Sequence, residues 1–292
     1  MFQIFDMHRR FIIQGVEGCF HDAAARNYIA SRFPDDTVET IPADTFPHLF
    51  EMLESDASTQ GIVAIENTIA GALLQNHELL RKSPLEVVGE FKMRISHVLA
   101  ALPGTRIEDV TDVYSHPIAL MQCEQFFHAH PHLKMVEHFD TAGAARDIAA
   151  KSRRGCAAVC GEYAANLYGL EILANGIETN KRNFTRFLIL ADPLAAPEMR
   201  PRDAEIDKAS IAFSLPHTQG ALSKVLTILS FYDMNLSKIQ STPILGREWE
   251  YRFYLDLTFE SYARYLQAID AVRPLLSDLR TLGVYRQCTE KI

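Results

Sequence analysis

One stretch limits what this chain can fold into more than any other. Asp192 to Asp203 carries Pro193, Pro197 and Pro201, three prolines within nine positions. Proline fixes φ and removes a backbone donor, so neither a long helix nor a central strand can run through this stretch. The composition predicts an extended connector over residues 192–206. It divides the 292-residue chain into about 190 residues before it and about 90 after it, enough for two domains.

The longer part alternates strands with helices. Phe11-Ile12-Ile13-Gln14, Gly61 to Ile65, Asp112 to Tyr114, Ala157 to Val159 and Phe184 to Leu190 read as strands. Asp22 to Arg32 and Gly161 to Tyr168 read as helices. Such alternation implies α/β layering, here over residues 10–191. The shorter part, 207–290, reads differently. Lys208 to Leu215, Met234 to Ser241, Glu248 to Phe259 and Leu282 to Cys288 are strand-like. Gly220 to Tyr232 and Ser261 to Leu276 have helical spacing. The resulting order βαββαβ is that of an α+β ferredoxin-like sandwich.

Composition narrows the function. Apolar residues make up 48% and charged residues 23%, the profile of an ordinary globular chain with a sizeable core. The formal net charge of −8 argues against a nucleic-acid partner. It leaves a small anionic substrate open, because a pocket can be locally basic. The five cysteines are an odd number without framework spacing; Cys156 and Cys160 have no second pair or histidine cluster to complete a metal site. No metal or cofactor is expected, and reduced thiols suit a cytoplasmic protein. No run reaches the ~18 apolar residues of a membrane span. Met1 to Arg10 shows no signal peptide.

Several short motifs follow predicted strands, where α/β sheets place ligands. Gln14-Gly15-Val16-Glu17-Gly18-Cys19-Phe20 is either an anion-binding loop or a plain tight turn. Glu66, Asn67 and Thr68 are either a polar site or a helix cap. Ser115 and His116 either hold a carboxylate or form a turn before Pro117, with Gln122 and Cys123 about two helical turns beyond. Arg186, in an apolar strand beside Thr185 and Phe187, either faces a pocket or is ion-paired, since an unpaired buried charge is costly.

The order and spacing of these motifs resemble the prephenate dehydratase family over nearly the whole chain. The glycine loop is followed by Ile65-Glu66-Asn67-Thr68 with Gly71, then Ser115-His116-Pro117 with Gln122-Cys123. Thr141-Ala142 with Ala144-Ala145, Tyr168-Gly169-Leu170 and Asn183-Phe184-Thr185-Arg186-Phe187 complete the series. The C-terminal part resembles the ACT regulatory domain of the same enzymes. Gly220-Ala221-Leu222 opens its first helix, and Gln240-Ser241-Thr242-Pro243 stands where the family has Glu-Ser-Arg-Pro. A carboxylate and a guanidinium are lost there together, which leaves no lone charge.

The resemblance implies a two-lobed catalytic part like a periplasmic binding protein, with the second lobe at about 95–175 and the site in the cleft. It implies conversion of prephenate to phenylpyruvate, water and carbon dioxide, with no cofactor. It also implies feedback by L-phenylalanine through Gly220, Ala221, Leu222, Gln240, Ser241, Thr242 and Pro243, and a homodimer or homotetramer. Thr185 is the matching candidate for assisting hydroxide departure. A threonine hydroxyl is a poor acid near neutral pH, so its expected role is to hydrogen-bond the leaving oxygen. Asn67, Thr68, Ser115, His116, Gln122 and Thr141 are expected to hold the substrate. Glu66 is expected either to be a protonated acid or to anchor a cation. Arg186, next to Thr185 on a strand, is expected on the opposite face, behind the site with Phe187. Arogenate dehydration and non-catalytic sensing of an aromatic ligand are the rival functions. A fused chorismate mutase is not expected, because only about ten residues precede the first strand.

Overall fold

The computed structural model describes residues 7–289. The first six residues of the stretch read as lacking a signal peptide, and position 290 of the C-terminal domain, lie outside the described residues. Along the chain come β1 (His8–Gln14), α1 (Phe20–Arg32), β2 (Thr37–Ala43), α2 (Phe46–Ser55), β3 (Gln60–Asn67), β4 (Gly71–Ala72), α3 (Leu74–Lys82) and β5 (Glu86–Arg94). A second lobe follows with β6 (Val98–Ala101), β7 (Asp112–Ser115), α4 (Pro117–Gln122), α5 (Glu124–Ala129), β8 (Lys134–Glu137), α6 (Thr141–Ala150), β9 (Cys156–Cys160), α7 (Glu162–Leu167) and β10 (Glu171–Ala174). The chain then returns to the first lobe in β11 (Phe184–Ala191).

Two α/β lobes result, the fold class read from the sequence. In the first, the sheet order is β2-β1-β3-β11-β5, and the second has its own sheet β10-β6-β9-β7-β8. The central strands of the first lobe are buried on both faces, whereas edge strand β2 is largely exposed. Phe11 and Ile13 of β1 enter one apolar cluster with α1, while Ile12 enters another with Leu49 and Leu53 of α2. That double burial explains the continuous apolar runs. The two lobe crossings are tied together: Ile95 N–H donates to Asn183 O at 2.8 Å, and Ile177 N–H to His97 O at 2.9 Å.

The proline-rich connector is not the extended segment predicted. It holds a turn of helix, α8 (Ala196–Met199), with Pro197 in its first turn, where the missing N–H costs nothing. Ala196 is fully buried, and Arg200 pairs with Glu86 of β5. The connector is packed onto the first lobe rather than bridging solvent.

The C-terminal domain comprises β12 (Lys208–Ser214), α9 (Ala221–Phe231), β13 (Asn235–Pro243), β14 (Tyr251–Thr258), α10 (Tyr262–Val272) and β15 (Ser277–Tyr285). This is the βαββαβ order of the sequence reading. The last strand begins and ends earlier than Leu282–Cys288, because pairing with β12 rather than apolar content sets its limits. Its sheet does not stand apart. Gly283 of β15 lies opposite Val87 of β5, so the order β13-β14-β12-β15 continues into the first lobe. A Cβ at Gly283 would lie 2.2 Å from the Val87 carbonyl oxygen, so only glycine permits this approach.

Candidate active site

Between the lobes lies a cavity of about 270 Å³. The C-terminal end of β3 supplies Asn67, and β11 supplies Thr185 and Phe187. The loop before α1 and its first turn supply Gln14, Cys19, Phe20 and His21. The second lobe contributes His116, Ile118 and Gln122, with Asp140 and Thr141 at the start of α6. His97, at the crossing, completes the wall.

Thr185 and Asn67 face each other in register across β11 and β3. The Asn67 amide orientation is fixed by its surroundings. Its Oδ1 accepts from the backbone N–H groups of Ile69 (2.9 Å) and Ala70 (2.8 Å). Its Nδ2 therefore points the other way and donates to Thr185 Oγ1 at 2.9 Å and Asn183 Oδ1 at 2.7 Å. With an acceptor site of Thr185 Oγ1 filled by Asn67, the hydroxyl proton of Thr185 is left to donate into the cavity. Asn183 passes the network on: its Nδ2 donates to Gln122 Oε1 at 3.0 Å. The same oxygen meets His97 Nε2 at 3.0 Å. Gln122 Oε1 thus takes two bonds and leaves its amide N–H donors for a ligand. The network joins both lobes through the crossing, from Thr185 in the first to Gln122 in the second.

Burial lowers the His97 pKa and pushes that of His21 down to about 4. His21 Nε2 accepts from Ala64 N–H at 3.2 Å, which requires an unprotonated nitrogen. Both imidazoles are neutral dipoles near pH 7 rather than cations. Burial, then the Asp140 carboxylate, pushes the Cys19 thiol up to about 12. That thiol is not an activated nucleophile.

Other residues singled out in the sequence lie elsewhere. Glu66 does not line the cavity. It sits opposite Ala72 and Arg186, and its Oε2 is 2.8 Å from Lys238 Nζ of the C-terminal domain. Of its two expected roles, the geometry gives it the cation anchor. Because Asn67 faces the cavity, its strand neighbour must face away. Thr68 is exposed and locks β3 to the start of β11, donating to Arg182 O and accepting from Phe184 N–H, both at 2.9 Å. Ser115 is fully buried and donates to Val159 O at 2.6 Å, so it braces the second sheet. His116 is in the wall, and its Nδ1 also accepts from Ile118 N–H at the start of α4. Thr141 and Gln122 are in the wall, as is Phe187, which had been placed behind the site. Three N–H groups of the glycine loop are committed within the protein. Gly15 N–H donates to Ala43 O, Cys19 N–H to Val16 O and Gly18 N–H to Asp22 Oδ2. It is a tight turn that presents Gln14 and Cys19.

Arg186 lies behind Thr185 in a buried cluster of charges. Its guanidinium is 2.6 Å from Glu90 Oε2, donates to Tyr285 Oη at 2.9 Å and pairs with Asp256. Lys208 Nζ is 2.9 Å from Glu90. Burial opposes charge on Arg186, but Tyr285, Asp256 and Glu90 outweigh it and hold the guanidinium pKa well above normal. Glu90 and Asp256 are likewise held below the usual carboxylate range, because Arg186 and Lys208 outweigh their burial. The position of Asn183 was visible in its motif, but its hydrogen-bonding role was not. His97 and Asp140 carried no such signal. Asp140 caps α6 in the structure.

In the C-terminal domain, Gly220 adopts φ +73° just before α9, and Gln240 to Pro243 lie on edge strand β13. A surface groove on α9 includes Leu222 but none of Gln240, Ser241, Thr242 or Pro243. Gly220 and Ala221 do not line it either. Among the described residues, no helix is long and apolar enough to cross a membrane and no metal-binding cluster occurs.

Comparison with known proteins identifies the family of the chain. The family described as prephenate dehydratase matches residues 11–194. Arogenate dehydratase 5, chloroplastic, of Arabidopsis thaliana is 37% identical over 94% of this chain and 67% of its own length. The chain thus spans about two thirds of that relative. A prephenate dehydratase from Arthrobacter aurescens, solved in complex with L-Phe, is 26% identical with a TM-score of 0.83. That match covers 95% of this chain and 90% of the other. A structure described as GqqA, a quorum-quenching acylase, is 28% identical with a TM-score of 0.82, over 96% of this chain and 99% of the other.

Proposed function

Because the chain belongs to the prephenate dehydratase family, we propose that it catalyses a decarboxylating dehydration leading to phenylalanine. It takes prephenate to phenylpyruvate, or the amino counterpart arogenate to phenylalanine. The observation that carries this reading is the Asn67–Thr185 hydrogen bond, which leaves the Thr185 proton directed at the cleft. The substrate ring loses its carboxylate as carbon dioxide, and the electron pair released flows through the ring. The carbon–oxygen bond across the ring then breaks, and the hydroxide that leaves takes up a proton as water. Aromatisation drives the step, so the protein has mainly to orient the ring and stabilise charge on the departing oxygen. Orientation in a closed site is worth up to about 7–11 kcal/mol. Thr185 donates to the departing oxygen, and a single well-placed donor of this kind is worth about 10²–10³ in rate. Gln122 and Thr141 supply neutral donors for carboxylates, and Phe20 and Phe187 flank the ring.

The acylase activity named for GqqA would need an activated nucleophile if it ran through a covalent intermediate. The Cys19 thiol is pushed up to about 12, and Ser115 is buried against a carbonyl, so dehydration is the better-supported reaction. The C-terminal domain is assigned an ACT-like role, binding L-phenylalanine at a surface that includes α9 and β13 in a homo-oligomer. The assay is to supply prephenate and arogenate separately, with and without L-phenylalanine, and to follow phenylpyruvate and phenylalanine. Turnover of at least one substrate, reduced by L-phenylalanine, is expected. Rates no higher than the spontaneous reaction for both would reject the dehydratase reading.

A further inference from the structure

The cavity is unusual for a site meant to hold a dicarboxylate. Among the described residues, no lysine or arginine lines it, and Asp140 is its one acidic side chain. One oxygen of that carboxylate is committed: Oδ1 accepts from Gly143 N–H at 2.7 Å and caps α6. The other, Oδ2, lies over Gly15, 3.2 Å from where a Cβ would stand. Among the described residues, no lysine or arginine pairs with Asp140; the backbone N–H groups of Gly143 and Ala142 bond its carboxylate, and the imidazoles of His138 and His116 act on it from nearby. Burial raises the pKa of this carboxyl, the mark of a charge without an adequate partner.

The two candidate substrates differ at one place. Prephenate carries a keto group beside its side-chain carboxylate, and arogenate carries an ammonium there. A carboxylate facing prephenate would add a third negative charge to a desolvated cavity. Facing arogenate, it meets a cation. Thr141, the next residue, lines the same cavity and offers a hydroxyl to the adjoining carboxylate. Asp140 and Thr141 together thus match both halves of a zwitterionic amino acid.

We propose that Asp140 is the specificity-determining residue of this site: its Oδ2 receives the α-ammonium group of arogenate, and Thr141 receives the α-carboxylate, so that the amino acid is preferred over the keto acid. This rests on the dehydratase reading and narrows it. The discriminating measurement is kcat/KM for arogenate and for prephenate on the full chain, comparing wild type with Asp140→Asn and Asp140→Ser. Asparagine and serine both cap helices, so α6 keeps its cap in either variant. The wild type is expected to favour arogenate. Both variants should lower the arogenate-to-prephenate ratio roughly 10- to 100-fold, the scale of a lost charge-assisted hydrogen bond. The change should combine a loss on arogenate with a gain on prephenate. A wild type that prefers prephenate overturns the proposal without any variant. A ratio that does not move, or an equal loss on both substrates, overturns it as well. If the wild type turns over neither substrate, it is the dehydratase reading that fails.

Discussion

The two faces of β11 at residues 185 and 186 solve opposite problems with neighbouring residues. On one face, Thr185 sits in a network of neutral groups: Asn67, Asn183, Gln122 and His97 pass hydrogen bonds beside the cavity without a formal charge. On the other, Arg186 is buried among Glu90, Asp256, Lys208 and Tyr285. The neutral face can change its hydrogen bonds as a substrate's charge develops. The charged face cannot, because each ion there is held only by its partners, and removing one leaves another buried alone. The proposed dehydration falls on the neutral face, whose donors are already set by the Asn67–Thr185–Asn183 network. The rigid face joins the first lobe to the C-terminal domain, whose Asp256, Lys208 and Tyr285 complete it. An effector that shifted the C-terminal domain would act on the residue next to Thr185.

The largest effect that tests this contrast is expected from Arg186→Met. It strips the guanidinium from Glu90 and Asp256, and should cost about 3–5 kcal/mol of stability. Chemical denaturation reads this directly, and an unchanged midpoint would mean the cluster carries no structural weight. Thr185→Ala should do the reverse. Turnover should fall about 10²–10³-fold while the denaturation midpoint holds, and Thr185→Ser, which keeps the hydroxyl, should recover part of the loss. A midpoint that fell with the activity would show that the two faces are not separable.

Acid should erode both faces together. His21 in the cavity wall and His77, packed edge-on against Tyr254 at the domain junction, are each pushed down to about 4 by burial. An unfolded chain binds these protons first as pH drops below about 6.5, its ordinary value. Stability from their neutral forms is therefore complete above that point and is lost as pH falls toward 4. Melting temperatures followed from pH 8 to 4.5 should be flat and then decline, and His77→Gln should flatten part of the decline. The smallest effect belongs to Glu66→Gln. Its carboxylate is 40% exposed, but its partner Lys238 is only 11% exposed with a buried Nζ, so about 1–3 kcal/mol of stability should be lost, with turnover retained. A collapse of turnover would return Glu66 to the chemistry.

Much of the site was legible because it is written locally. Asn67 ends one buried strand and Thr185 lies near the start of another, and period-two alternation already turned Arg186 away from Thr185. The same alternation, applied to Glu66 beside Asn67, turns Glu66 away too. Ser115 was misplaced because a strand-end serine looks alike whether it meets a ligand or, as here, a carbonyl on the next strand. Asp140 belongs to none of the motifs read from the sequence, and its capping of α6 appears only in the structure. The connector misled because three prolines in nine positions suggest a bridge through solvent, whereas Ala196 and Arg200 dock it onto the first lobe.

By itself, then, the sequence determined five of the strands of the longer part, the βαββαβ order of the C-terminal domain and the opposite facing of Thr185 and Arg186 on β11. These follow from backbone periodicity, which acts over a few residues. Only the tertiary structure decided what each face meets. Arg186 finds Asp256 70 positions away and Tyr285 99 away, and Asn67 finds Thr185 118 away. Contacts at such separations depend on how whole sheets pack and merge, as at Gly283 and Val87, where the missing side chain of one glycine lets the two domains share a sheet.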